Sequence, residues 1–164
     1  EIFYQIKKRG QRFPFAQLLG RTDFALFPAA GYIAVAGPAP AAWVYMLFFY
    51  PLTMVHLGMN DLADIRNDEA RGMKSIPLLY GAAGTAWWIA GFAALHLLTT
   101  LVFAPYLHTS ARYALALPVF VLGLAVRLVM LKPTALRGLR VLPMIHGVIA
   151  LEAIIIIVDG ALAE

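Results

Sequence analysis

Asp61, Asp64, Asp68 and Glu69 fall within nine positions of a 164-residue chain that has nine acidic residues in all. Asn60 opens the group, and Arg71 and Lys74 follow it. Residues three, four and seven apart share a helix face. If a helix runs on past Asn60, then Asn60, Asp64 and Asp68 form one stripe over two turns, with Asp61 three residues from Asp64. Carboxylates stacked in this way repel. A hard cation such as Mg²⁺ offsets that cost, because it is held by one or two carboxylates together with substrate phosphates. Arg71 and Lys74 are spaced to meet the remaining phosphate charge. Carboxylates for a metal and cations for a phosphate, at the mouth of an apolar run, suit a lipid diphosphate. The plainer reading is a solvated turn whose charges only fix topology. Against it stand the i+4 spacing, the accompanying basic residues and the scarcity of acids elsewhere.

The rest of the chain is what must position this stripe. It is 62% hydrophobic and 13% charged, with a mean hydropathy of +0.77, where a soluble domain is about 25% charged. The expected class is an all-α, polytopic transmembrane bundle. The absence of Cys excludes disulfides, thiolate metal sites and Cys nucleophiles. The net charge of +4 is read loop by loop and not as a nucleic-acid footprint. Five apolar stretches approach the roughly 20 residues of a bilayer crossing: 22–38, 41–59, 82–105, 111–131 and 142–161. The first is the weakest, with Asp23 at its edge and Pro28 and Gly31 inside it. The expected organisation is a basic cytoplasmic segment at 1–21, two spans within 22–59, a cytoplasmic Asp-rich loop at 60–81 and three spans within 82–164. With the N-terminus inside, twelve Lys and Arg residues lie on the inner side and only Arg112 outside, which places the C-terminus outside. The chain opens on Glu1 and not Met, which points to a truncated, processed or partial polypeptide.

The pattern Asp64-x-x-x-Asp68, followed by Gly72-x-Lys74-Ser75-x-Pro77 and Tyr80-Gly81, resembles the second aspartate-rich motif of the UbiA superfamily of intramembrane prenyltransferases. That family has a nine-helix fold in which two Asp-rich motifs face each other across a cavity and hold Mg²⁺ and a prenyl diphosphate. The resemblance implies that this chain supplies helices 5–9 and the second motif. Asn60-x-x-x-Asp64-x-x-x-Asp68 also has the first motif's spacing, but the Gly-x-Lys-Ser-x-Pro tail belongs to the second. No other Asp-rich segment occurs in the chain, so an N-terminal half or a partner subunit would have to carry the first motif. The implied activity is transfer of an isoprenyl group to a lipophilic, aromatic or other, acceptor within the membrane. By the same resemblance Asp64 and Asp68 bind Mg²⁺, with Asp61 and Asn60 as further ligands or their neighbours. Lys74 and Arg71 would stabilise the departing diphosphate.

Aromatic faces can stabilise a carbocation, and Tyr45, Phe48, Phe49 and Tyr50 lie on the span that leads into the stripe. Tyr50 is taken as a substrate contact. His56 continues the stripe one turn back. His146 and Glu152 sit in the last span, where ionisable groups are costly, and Glu152 has cavity and structural readings of equal weight. Asp159 is expected to be solvated, and "PTALRGLR" (133–140) to be a positive-inside anchor. Two further functional classes remain beside the enzyme. One is a non-catalytic, UbiA-like membrane subunit that contacts lipid or pigment as a scaffold. The other is a cation or proton transporter, disfavoured because its carboxylates would sit mid-span.

Overall fold

A helix satisfies its own backbone hydrogen bonds in lipid, so an apolar run crosses the bilayer if it is long enough. The computed structural model describes residue 6 and residues 8–162. From Phe15 onward its helices are α1 (Phe15–Gly20), α2 (Thr22–Ala36), α3 (Pro40–Ala63), α4 (Ile65–Ala70), α5 (Ile76–Phe103), α6 (Thr109–Ala114), α7 (Ala116–Leu131) and α8 (Ala135–Ala161). No strand occurs among the described residues. Four segments are long and apolar enough to cross a membrane: α3, α5 with the short 3₁₀ turn after it, α6–α7 taken together, and α8. The protein is a polytopic helical bundle.

Four of the five expected stretches are these segments. The first, expected at 22–38, is the 15-residue α2, with Pro28 inside it and Gly37 at its end. At 1.5 Å per residue it is about 22 Å long, short of the roughly 30 Å hydrocarbon core. Helix ends also differ from the expected span ends. α8 begins at Ala135 because the Thr134 hydroxyl caps it, accepting from the Arg137 N–H at 3.3 Å. Most of 133–140 is therefore helix and not loop.

α3 is the central helix. More than half of its apolar window (56%) is buried, against 22–28% for the other three segments. Phe48, Leu52, Val55, Met59 and Leu62 recur at three- and four-residue spacing along it. They pack with Ala86 and Ile89 of α5, Leu122, Ala125 and Val129 of α7, and Val141, Ile145 and Val148 of α8. In lipid, helix association depends on close van der Waals packing, which small residues permit. A Cβ at Gly138 of α8 would stand 3.0 Å from the Ala63 nitrogen and 3.2 Å from the Met59 carbonyl. That close approach seats α8 on α3 at the start of the acidic stripe, beside Asn60.

Candidate functional site

The stripe forms where α3 ends. Asp64 leaves helical geometry (φ −102°, ψ 13°) and is shared as the last cap of α3 and the first of α4. Its N–H still reaches the Asn60 carbonyl at 3.0 Å, and the Asp68 N–H reaches the Asp64 carbonyl at 3.0 Å. The helical course thus continues through the break. α4 then stops at Gly72, whose φ of +66° is the left-handed conformation glycine adopts without a steric penalty. The segment 60–81 is largely helical, a helix end and a short helix with a tight turn into α5.

Asn60, Asp61, Asp64, Asp68 and Arg71 line one cavity of about 330 Å³, together with Lys8, Gly20, Arg21, Asp23, Phe24 and Met73. The carboxylates do not have equal roles. Asp61 is buried and both its oxygens are engaged: Oδ1 with Lys8 Nζ at 3.3 Å, and Oδ2 with the Ile76 N–H at 3.1 Å. That N–H belongs to the first turn of α5, where backbone donors lack helical partners and negative charge is favoured. Asp61 therefore caps α5 from a distant helix. Asp68 is also buried and binds Lys8 Nζ through Oδ2 at 3.3 Å. Asp64 is exposed, and its Oδ2 accepts from Asn67 Nδ2 at 3.0 Å. Among the described residues no three acidic or imidazole groups converge as a ready-made metal cage.

Two residues expected at the site lie elsewhere. The Lys74 side chain is exposed and outside the cavity lining, whereas its backbone is heavily used. Its N–H donates to the Lys8 carbonyl at 2.7 Å, and its carbonyl accepts from Gln11 Nε2 at 2.7 Å and Gln17 Nε2 at 3.0 Å. Tyr50 donates its hydroxyl to the Leu18 carbonyl at 2.9 Å and lines none of the cavities described here. Both residues thus fasten the strap formed by residues 8–20 over the stripe.

That strap brings in what sequence reasoning missed. Lys8, read only as a topology charge, sits between Asp61 and Asp68 and relieves the repulsion that had argued for a metal there. Arg21 lines the cavity, stacks on Phe24 at 4.6 Å, and has a buried Nε with no hydrogen-bond partner among the described residues. The only sequence signal for either was membership of a basic segment.

Below the polar cavity lie two apolar ones. The first, of about 460 Å³, includes Phe24, Phe27, Phe49, Leu52, His56 and His146 in its lining. The second, of about 430 Å³, includes Tyr32, Tyr45, Phe49 and Ile156. The two share Pro28, Phe49 and Ala153, and Phe24 is common to the polar cavity and the upper apolar one. Of the four aromatics singled out on α3, Tyr45 and Phe49 face this cleft. Phe48 is in the core, stacked on Phe103 with centroids 4.6 Å apart. Glu152 is in the core as well: its Oε1 lies 2.9 Å from His96 Nε2, both residues fully buried. Asp159, expected to be solvated, is buried and accepts from the His108 N–H at 3.1 Å.

The donor set fits a divalent cation bound with a phosphate group. Asn60, Asp64 and Asp68 are hard oxygen donors, and one or two carboxylates plus phosphate oxygens suffice for Mg²⁺. The unpartnered Arg21 nitrogen and the Arg71 guanidinium line the same cavity and would supply positive charge for such a phosphate.

Known proteins give an independent comparison. Residues 2–147 match the model of the UbiA prenyltransferase family. The chain is 39% identical over 70 residues to a digeranylgeranylglyceryl phosphate synthase of Methanopyrus kandleri, covering 43% of this chain and 25% of that protein. It is 38% identical over 61 residues to the diterpene cyclase eriG of Hericium erinaceus, covering 37% of this chain and 19% of that protein. The chain thus spans only a quarter or less of these relatives over the matched regions. No solved structure matches. Because the family model covers nearly the whole sequence, the chain belongs to the UbiA prenyltransferase family.

Proposed function

We propose that this chain supplies the C-terminal half of an intramembrane, Mg²⁺-dependent prenyltransferase, with a prenyl diphosphate as donor and a lipophilic acceptor. One observation carries the reading: a polar cavity lined by Asn60, Asp64, Asp68, Arg71 and Arg21 adjoins, through Phe24, an apolar cleft inside a membrane bundle. Asn60, Asp64 and Asp68 hold the metal, which when bound withdraws charge from the leaving diphosphate. Arg71 and Arg21 bind the diphosphate oxygens and favour departure of the negative charge. The cleft between α2, α3 and α8 takes the prenyl tail and keeps water from the allylic carbon, with Tyr45 and Phe49 on its wall. Asp61 and Lys8 organise the site, and Lys74 anchors the strap through its backbone. The Asp-rich end faces the cytoplasm, following the Lys and Arg asymmetry, and the remaining half of the cavity comes from an N-terminal half or a partner subunit.

The second reading, a non-catalytic membrane scaffold, draws support from Lys8. By bridging Asp61 and Asp68 it gives the stripe a structural purpose that needs no metal. Prenyl transfer by the full-length protein separates the two. Asp64→Ala, at an exposed residue, and Asp68→Asn, which keeps an oxygen for Lys8, should each abolish Mg²⁺-dependent transfer while leaving the protein folded. Wild-type rates in those variants would sink the assignment of Asp64 and Asp68 as metal ligands, and a wild-type protein that neither binds a prenyl diphosphate with Mg²⁺ nor transfers its prenyl group would leave the scaffold.

A further inference from the structure

His56 of α3 and His146 of α8 meet across the upper apolar cavity, with their Nε2 atoms 3.0 Å apart and ring centroids 5.0 Å apart. They are 90 residues apart in sequence. His56 lies four residues, about 6 Å of helix rise, from Asn60, so the pair faces the cleft just below the polar cavity.

The hydrogen bond restricts the pair's protonation. One Nε2 must donate and the other must accept, and an accepting nitrogen has no proton. Two imidazolium rings cannot make this contact. In the neutral pair the donating ring therefore has a bare Nδ1, and the accepting ring carries its proton on Nδ1. Neither Nδ1 has a hydrogen-bond partner among the described residues. The pair thus offers one acceptor and one donor in a cavity otherwise lined mainly by Phe24, Phe27, Phe49, Leu52 and Ile149. Thr53, the other polar side chain there, donates its hydroxyl to the Tyr50 carbonyl at 2.8 Å. An apolar cavity with one such pair is complementary to a lipophilic molecule bearing a hydroxyl.

We infer that His56 and His146 bind the hydroxyl of the acceptor and take the proton it gives up on prenylation. This rests on the transferase reading above. In the step, the acceptor oxygen bonds to the allylic carbon of the donor. The bond from that carbon to the diphosphate oxygen breaks, and its electron pair leaves with the diphosphate. The hydroxyl proton passes to the bare Nδ1, leaving one imidazolium that still donates to its neighbour through Nε2. No further reactant is needed.

The test uses the full-length protein in detergent and two aromatic probes of similar size, 1-naphthol and 1-methylnaphthalene. Wild type should bind 1-naphthol about ten-fold more tightly, the worth of one net hydrogen bond, and the bound probe should emit as naphtholate because a base adjoins its hydroxyl. His56→Phe with His146→Phe keeps the rings and removes the nitrogens. It should equalise the two affinities, leave 1-methylnaphthalene binding unchanged and give neutral naphthol emission. If that variant fails to fold, His56→Gln with His146→Gln, which keeps hydrogen-bonding groups but no base, should lose the naphtholate emission while keeping the preference for 1-naphthol. Equal affinities in wild type, neutral emission in wild type, or naphtholate emission that survives loss of both histidines would overturn the inference. Mg²⁺-dependent binding of a prenyl thiodiphosphate is measured in parallel. Its absence counts against the transferase reading, whereas its presence without a naphthol preference counts against the histidine pair alone.

Discussion

Lys8 shows how a single side chain can change the meaning of a cluster. Three carboxylates on one stripe predict repulsion, and repulsion predicts a cation. The protein supplies an ammonium of its own, 3.3 Å from both Asp61 and Asp68 and only 6% exposed. Removing one partner of a buried ion pair costs about 3–5 kcal/mol, because the other charge stays behind without compensation. Lys8→Met should therefore destabilise the detergent-solubilised protein by a free energy in that range, read as a lower thermal midpoint. Lys8→Met with Asp68→Asn should recover part of the loss. If Asp64 and Asp68 hold Mg²⁺ as proposed, millimolar Mg²⁺ should also stabilise Lys8→Met more than wild type. An unchanged midpoint in Lys8→Met would show that the bridge carries no weight. The acids themselves were legible in the sequence, because they are rare and spaced at helical intervals. Lys8 was not: it meets Asp61 across 53 residues, and no periodicity links a terminal lysine to a carboxylate on another helix.

At the scale of elements, hydropathy identified the apolar core of each long helix, while caps and glycines set where the helices end and how closely they meet. The expected span 41–59 runs on to Ala63 because nothing stops α3 until Asp64 leaves helical geometry. The expected span 82–105 starts after Gly81, whose φ of +72° breaks the helical course near the start of α5. The packing of α8 on α3 was not legible, because Gly138 lies in "PTALRGLR", which reads as a basic anchor before the span, and a glycine there looks the same whether it faces solvent or a neighbouring backbone. Gly138 and Gly147, both on α8, separate these cases. A methyl group at Gly138 meets the backbone of Met59 and Ala63, whereas at Gly147 it meets nothing within 4 Å. Overpacking of this kind costs about 1–3 kcal/mol, and relief of glycine's helical penalty returns about 1 kcal/mol at most. Gly138→Ala should lower the thermal midpoint and weaken Mg²⁺-dependent prenyl diphosphate binding, since α8 is pushed from α3 beside Asn60. Gly147→Ala should leave binding intact and be neutral or slightly stabilising. Equal behaviour of the two variants would mean that the close approach at Gly138 does not shape the site.

For the molecule as a whole, polar contacts between distant helices fix how an otherwise non-specific apolar bundle assembles. His96 of α5 is fully buried between the Phe48 carbonyl of α3, 3.1 Å from its Nδ1, and Glu152 of α8, 2.9 Å from its Nε2. A carbonyl can only accept, so Nδ1 carries a proton. One further proton then lies between Nε2 and the Glu152 carboxyl, on whichever of the two atoms holds it. The three central helices are thus joined at one imidazole. The sequence made Glu152 conspicuous as an acid in a span, but its partner sits 56 residues away, and neither residue's surroundings mark the pairing. Glu152→Gln keeps a donor for Nε2 without needing a charge and should cost less than about 1 kcal/mol. Glu152→Ala leaves Nε2 buried and unpaired, a loss of about 1–3 kcal/mol, with a cavity penalty in addition. Thermal unfolding in detergent should therefore rank wild type and Gln close together, with Ala well below. If Gln were as damaging as Ala, the contact would depend on charge and not on a single shared proton, and the helices would be held by an ion pair of His96 and Glu152.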